Sequence, residues 1–327
     1  VKINNSNIFF KDNLEEIISI IKVDKTTIFF DDKKLLNFIN LKGEVFNIPF
    51  NLHSQYQNDP VVHEKFSLKS KFLKLYFTNK STQINKSISG ENSISFLKSK
   101  IHTKYNVKKK LILFKSNNSK IDNSQINYTG ELSINPFDLN IDIQLDNYRI
   151  SKLFNINPIL IEFIKSGLLF NNNISIKNSI LVGSNEKKEF FQNAKIIFNI
   201  VNGKFNLDKT TFVNDSIGLL ELNNSNLFLE NNNLILNTDV LFEVKNLDNL
   251  YSFLNTNKQS RKEFQNILIN LDYDFLRNEI KFNNVKINNK DVNDQFLNMI
   301  ENFNDNNLNN IVKSRILINK LLSIYEG

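Results

Sequence analysis

Gly130-Glu131-Leu132-Ser133-Ile134-Asn135-Pro136-Phe137-Asp138-Leu139-Asn140-Ile141-Asp142-Ile143-Gln144-Leu145 is the stretch whose reading decides the fold. From Leu139 to Leu145 apolar and polar residues alternate strictly, and a period of two puts one kind on each side of an extended chain. That is a strand with one dry face and one wet face. The first ten residues also have a counterpart. Gly43-Glu44-Val45-Phe46-Asn47-Ile48-Pro49-Phe50-Asn51-Leu52 matches Gly130 to Leu139 at five positions, with the same spacing from Gly-Glu to Pro-Phe. Glycine relaxes the backbone at a turn or bulge, and proline removes a ladder donor where a strand begins or bends. The pair therefore reads as architecture, repeated along a sheet.

Outward from this stretch the chain keeps the same rhythm. Ile3 to Phe10 and Thr26 to Phe30 read as strands, Asp12 to Ile18 as a short helix behind an Asx cap, and Lys33 to Asn40 as a helical turn. Phe66/Leu68, Leu73/Leu75/Phe77 and Ile94/Phe96 keep period two, which predicts an antiparallel meander. Asn157-Pro158 predicts a short helix over 158–168. Further strands follow at Ile174/Ile176, Ile180/Val182, Ile196/Phe198/Ile200, Phe205/Leu207, Leu220/Leu222, Leu227/Leu229, Leu234/Leu236 and Val240/Phe242/Val244. Leu247 to Leu254 reads as helix, Ile280/Phe282 with Val285/Ile287 as a last hairpin, and Asp291 to the end as helical. In that tail Leu308, Ile311, Val312, Ile316, Leu321 and Leu322 share most of one face, with Lys313, Arg315 and Lys320 near it. The helix either caps the end of the sheet or meets a membrane or partner. The least arbitrary boundary lies near residue 155, separating 1–155, which holds both motifs, from 156–327; one continuous domain is the alternative.

Bulk properties narrow the function more than they name it. The chain has 327 residues, no Cys, no Trp, 29 Phe, 8 Gly, 4 Pro and a net charge of +7. Lacking Cys, it has no disulfide and no thiolate chemistry. With Gly and Pro scarce, runs such as Asn171-Asn172-Asn173 and Asn231-Asn232-Asn233 take the turn positions, because Asn tolerates positive φ. The lysines from Lys98 to Lys115 interleave with Ile101, Val107, Leu111 and Leu113, the pattern of a solvated hairpin face. No apolar run approaches the ~20 residues of a spanning helix. The chain begins at Val1 without a signal-like segment, which suggests a piece of a longer protein whose amino-terminal anchor lies elsewhere.

The search for chemistry finds little. His53, His63 and His102 lack metal-ligand spacing, there is no G-x-S-x-G and no phosphate loop, and Glu15-Glu16 and Asp31-Asp32 are sequence neighbours that a strand would aim apart. The reading is of a protein that is not an enzyme and needs no cofactor or metal. Many Phe lie in phase with Ile and Leu, as in Ile196/Phe198/Ile200, so they line an interior and do not form a nucleic-acid stacking platform. The dry face either packs on a second layer, as in a sandwich, or lines an open trough for an apolar ligand. Periodicity does not separate the two.

The motif pair GEVFNIPFNL (43–52) and GELSINPFDL (130–139), followed by an alternating strand and Ile150-Ser151-Lys152-Leu153-Phe154, resembles the repeating unit of the AsmA-like family, the bacterial envelope proteins related to TamB and YhdP. The resemblance implies an elongated, strongly curved antiparallel sheet, a β-groove, with a few short helices and a helical C-terminus. It also implies non-enzymatic, bridge-like phospholipid transport or outer-membrane biogenesis in the periplasm of a diderm bacterium, with an inner-membrane anchor in the full-length protein. The groove lining would be Val45, Ile48 and Phe50; Leu132 and Ile134; Leu139, Ile141, Ile143 and Leu145; Ile196, Phe198 and Ile200; and Val240, Phe242 and Val244. The alternative is a structural or adhesive β-solenoid or β-sandwich surface protein without a ligand groove.

Overall fold

In the computed structural model, residues 1–11, 17–33, 35–58, 60–122, 124–154, 164–185, 189–231, 233–277, 279–301 and 311–325 are described. The protein is mainly β, in long and mostly antiparallel sheet, with short helices and a helical C-terminus, as the alternation predicts. It divides into two compact units, Val1–Asn135 and Pro136–Gly327.

The first unit comprises β1 (Lys2–Lys11), β2 (Ile17–Asp31), β3 (Leu36–Val45), β4 (Ile48–Asn58), β5 (Val62–Ser70), β6 (Leu75–Ile84), β7 (Ser87–Phe96), β8 (Ser99–Lys108), β9 (Leu111–Ser116), β10 (Ser119–Ile121) and β11 (Ser124–Ile134). It is a meander in which each strand from β1 to β8 pairs with the next in sequence, and β9 and β10 both lie between β8 and β11. Strands β9 and β10 both pair with β8, as one interrupted strand. At the interruption the fully buried Ser119 hydroxyl accepts from the His102 amide at 2.9 Å and donates to the His102 carbonyl at 3.0 Å, replacing the missing ladder partner. Two helical expectations fail here. Ile17 and Ile18 begin β2, and residues 36–40 belong to β3, because pairing across the meander overrides short local helix signals; 12–16 lie outside the described residues.

The second unit comprises β12 (Phe137–Asp146), β13 (Ile174–Gly183), β14 (Asn193–Val201), β15 (Lys204–Asn206), β16 (Thr210–Asn214), β17 (Gly218–Glu230), β18 (Asn233–Val244), β19 (Asn266–Asp274), β20 (Glu279–Ile287) and β21 (Lys290–Asp291). The pair β12–β13 is parallel, a departure from the purely antiparallel expectation. Parallel neighbours need a long crossover, and residues 147–173 supply one. Most of the helix expected over 158–168 lies outside the described residues. The expected last hairpin, Ile280 to Ile287, is instead the single strand β20, whose register against β19 shifts between Asn270 and Leu271. That bulge breaks the period-two pattern without a turn.

Helix α1 (Leu247–Leu254) lies between β18 and β19, and α2 (Asp294–Glu301) and α3 (Ile311–Ile324) follow β21. Asn246 caps α1 by accepting from the Asn249 amide at 2.9 Å, and Asn255 ends it in the left-handed conformation. Leu250, Tyr251 and Leu254 of α1, Phe296 and Ile300 of α2, and Leu321 and Leu322 of α3 bury themselves with Val285 and Ile287 of β20. The C-terminal helix thus joins the cluster by packing on α1 and α2, and α2 packs on β20. Of the apolar residues expected to share one face of the C-terminal helix, Leu321 and Leu322 are buried while Val312 and Ile316 are exposed.

Two local devices hold the ladders in register. Gly43 approaches β2 so closely that a Cβ would lie 2.3 Å from the Lys22 carbonyl oxygen, beside the register shift between Val23 and Lys25. In the second unit Asp208 accepts from the Ser225 amide at 2.6 Å and hydroxyl at 2.7 Å. Burial raises the Asp208 pKa, but the Ser225 and Asn206 hydrogen bonds outweigh it and hold the group below 3.8. Gly43→Ala is expected to cost about 1–3 kcal/mol in urea unfolding. Asp208→Ala is expected to cost about 1–2 kcal/mol near neutral pH. With the folded pKa depressed, that difference is present above the unfolded carboxylate pKa and disappears as pH falls through the folded one, which acid titrations of both proteins would measure.

Candidate functional site

The registers assemble the alternating residues into continuous cross-strand rows. In the first unit Leu41, Leu52, Leu68, Phe77, Ile94 and Ile101 stand opposite one another in turn across β3 to β8. Five strand spacings make this row about 24 Å long. All six side chains are half-buried, and no helix or second sheet of the unit packs on them among the described residues. Of the buried apolar residues, Val23, Phe50 and Ile126 belong to the first unit; the rest lie in the second.

The same face also carries polar side chains in phase with the apolar ones. Tyr105 lies over Gly90, where a Cβ would meet its ring at 2.5 Å, and its hydroxyl donates to Asn79 Oδ1 at 2.8 Å. Thr103 and Tyr128 hydroxyls are 2.6 Å apart, and the buried Ser81 donates to Glu64 at 3.5 Å. Together with Asn92, opposite Asn79 and Thr103, they form a polar strip. The strip separates the leucine-rich row from a second apolar group, Val107, Ile112 and Leu132. The signal was in the sequence as polar residues in phase with the apolar ones, at 79, 81, 92 and 103.

In the second unit the corresponding face is largely occupied. The row Leu139, Ile176, Ile200, Phe205, Leu227, Leu236 and Tyr273 crosses the unit. At its middle Ile164 and Phe170 pack against Ile200, Phe205 and Leu227, with the Phe170 and Phe205 rings 4.6 Å apart. At the far end α1 to α3 cover Phe242, Val244 and Ile267.

The fifteen residues expected to line a groove therefore fall into different environments. Val45, Ile48, Leu132, Leu139, Ile141, Ile143, Ile196 and Val240 are half-buried, and Ile134 is exposed at a strand end. Phe50 and Leu145 are buried; Ile200 is 0% exposed within a core cluster, against which Phe198 packs; Phe242 and Val244 pack beneath the helices. Leu52, Leu68, Phe77, Ile94 and Ile101, the longest half-exposed row, were not among them. Their strands alternate less cleanly, so the row emerges only from pairing.

The polar face offers a shallow depression of about 440 Å³ lined by Lys25, Lys42, Lys69, His53 and Tyr76. Lys42 lies 3.9 Å from Asp24, and His53 Nδ1 lies 2.6 Å from Asn40 Oδ1. Among the described residues no cluster of His, Asp or Glu is arranged to hold a metal, and no helix is long and apolar enough to cross a membrane. The two motif copies also differ in geometry: the first turns at Phe46-Asn47 and the second at Asn135-Pro136, two residues later in the motif. No family model, curated protein or solved structure matches the chain.

The contrast between core and open face is measurable. Ile200→Ala is expected to cost about 2–5 kcal/mol in denaturant unfolding, because it opens a cavity, whereas Ile94→Ala is expected to cost less than about 1.5 kcal/mol.

Proposed function

We propose that the protein handles acyl-chain lipid without catalysis, its apolar sheet face shielding the chains from water. In this reading it is a bridge-like phospholipid transporter or outer-membrane biogenesis factor of the diderm periplasm, anchored at the inner membrane in its full-length form. The observation that carries the reading is the half-exposed row Leu41, Leu52, Leu68, Phe77, Ile94 and Ile101, which no element of its own unit covers. At about 0.8 kcal/mol per fully buried methylene, laying one acyl chain along such a row, with about half its surface covered, stabilises it by roughly 5 kcal/mol relative to water. The motif pair at 43–52 and 130–139 adds the resemblance to the AsmA-like envelope proteins.

A second reading rests on the other unit, where helices and a crossover segment bury that unit's own apolar face. There the sheet behaves as ordinary core, as in a structural or adhesive β protein, and the first unit's face would close against another copy of the chain.

Organic extraction of the purified chain followed by mass spectrometry separates the two. The wild type is expected to carry phospholipid, and Leu68→Asp with Phe77→Asp to lose at least about tenfold of it while keeping its circular dichroism spectrum; Asp at Ile141 or Ile143 is expected to act in the same direction. Equal lipid content in wild type and variant would sink the lipid reading. A lipid-free dimer that the same substitutions dissociate would establish the second one.

A further inference from the structure

Antiparallel pairing sends alternate turns of the first unit to the same edge of the sheet. The β3–β4, β5–β6 and β7–β8 turns thus form one row, with tips about 10 Å apart at two strand spacings each. Their residues are Phe46-Asn47, Lys71-Phe72-Leu73-Lys74 and Leu97-Lys98. Phe46 and Phe72 are each 71% exposed and Leu97 is 68% exposed, which makes these three side chains among the most accessible large hydrophobics of the chain. The next turn along this edge includes Asp122, where the apolar row ends.

Turn chemistry does not explain these residues. Phe46 and Leu97 sit at φ of 50° and 52°, a region that the chain elsewhere fills mostly with Asn. A bulky side chain there costs conformational energy that Asn or Gly avoids. The opposite row of turns has Asn85-Lys86 and Lys109-Lys110 at two of its tips, with Asn85 and Lys109 taking the positive φ, and Leu35 at φ of 44° and 45% exposed at a third, so only the row with Phe46 carries three such apolar tips at 68% exposure or more. Three highly exposed apolar side chains on alternate turns, two of them at positive φ, with Lys71, Lys74 and Lys98 beside them, match the layered chemistry of a bilayer surface: acyl chains below, anionic headgroups above.

We propose that this row of hairpin tips is a membrane-docking edge, which seats Phe46, Phe72 and Leu97 in the interface of an anionic bilayer while Lys71, Lys74 and Lys98 engage its headgroups. It is separate from the lipid-shielding row on the sheet face, and it stands whether or not that face carries lipid.

The chain contains no Trp, so a single introduced one reports on its own surroundings. Phe72→Trp in the full chain is expected to shift its emission to the blue on vesicles of phosphatidylcholine with about 30 mol% phosphatidylglycerol and to be quenched by brominated acyl chains. Vesicle co-sedimentation supplies the second readout. Phe46→Asn, Phe72→Ser and Leu97→Asn combined are expected to lower affinity by at least about tenfold. Asn at positions 46 and 97 suits the backbone, so the thermal midpoint should hold or rise. Lys71, Lys74 and Lys98 changed together to Gln are expected to remove on the order of 100-fold on anionic vesicles and little on pure phosphatidylcholine. Leu35→Asn with Ile84→Asn, at the opposite edge, should leave binding unchanged. An unshifted Trp emission, binding within twofold of wild type after the tip substitutions, or equal loss from the opposite-edge pair would overturn the assignment. A Phe77→Asp protein that loses lipid but still binds vesicles would show that the two surfaces act separately.

Discussion

A sheet with period-two alternation collects its apolar side chains on one face, and that face must find a cover, a ligand or a partner. Backbone pairing satisfies the amides and carbonyls of the interior strands regardless of what lies above the sheet. It therefore builds a many-stranded meander without first building a core. The second unit meets the demand internally: Phe170 and Ile164 close over Ile200 and Phe205, and three helices close over Val285 and Ile287. The first unit does not, and Leu68, Phe77 and Ile94 stay half-exposed in consequence. The lipid-shielding reading rests on that difference between two stretches of the same architecture.

Such extended pairing is sensitive to interruption, and small polar side chains repair it. Ser119 substitutes for the ladder partner of His102, and Thr210 does the same for Ile197, accepting from its amide at 3.0 Å and donating to its carbonyl at 3.1 Å. Asp208 and Ser225 tie β17 at the gap between β15 and β16. These residues are buried or half-buried, yet they do not line a site; each answers for backbone groups that a break in a strand has left open.

Much of the sheet was legible because alternation is a local property. The strands around 139–145, 196–200 and 240–244, the helix over 247–254 and the Asn-rich turns could all be read directly. Errors fell where a short segment carried two signals. Asp12 to Ile18 and Lys33 to Asn40 have the caps and spacing of helix, but their described parts join strands whose neighbours supply partners along the full length. The expected hairpin at 280–287 failed for the opposite reason: a bulge shifts the alternation by one residue, which in sequence looks like a turn.

The sequence by itself determined which side chains share a face, since that follows from a period of two. It also determined that the chain carries no recognisable catalytic motif and that Asn would serve its turns. Only the tertiary structure decided which parts of the face are covered, because cover comes from residues far away in sequence: Phe170 over Phe205, and α3 seated on α1 and α2 beside β20. Only pairing decided that Leu41, Leu52, Leu68, Phe77, Ile94 and Ile101 form one row, and that Phe46, Phe72 and Leu97 share one edge. Register between strands is a non-local quantity, set by turns and bulges such as the one opposite Gly43, and no single strand's composition contains it.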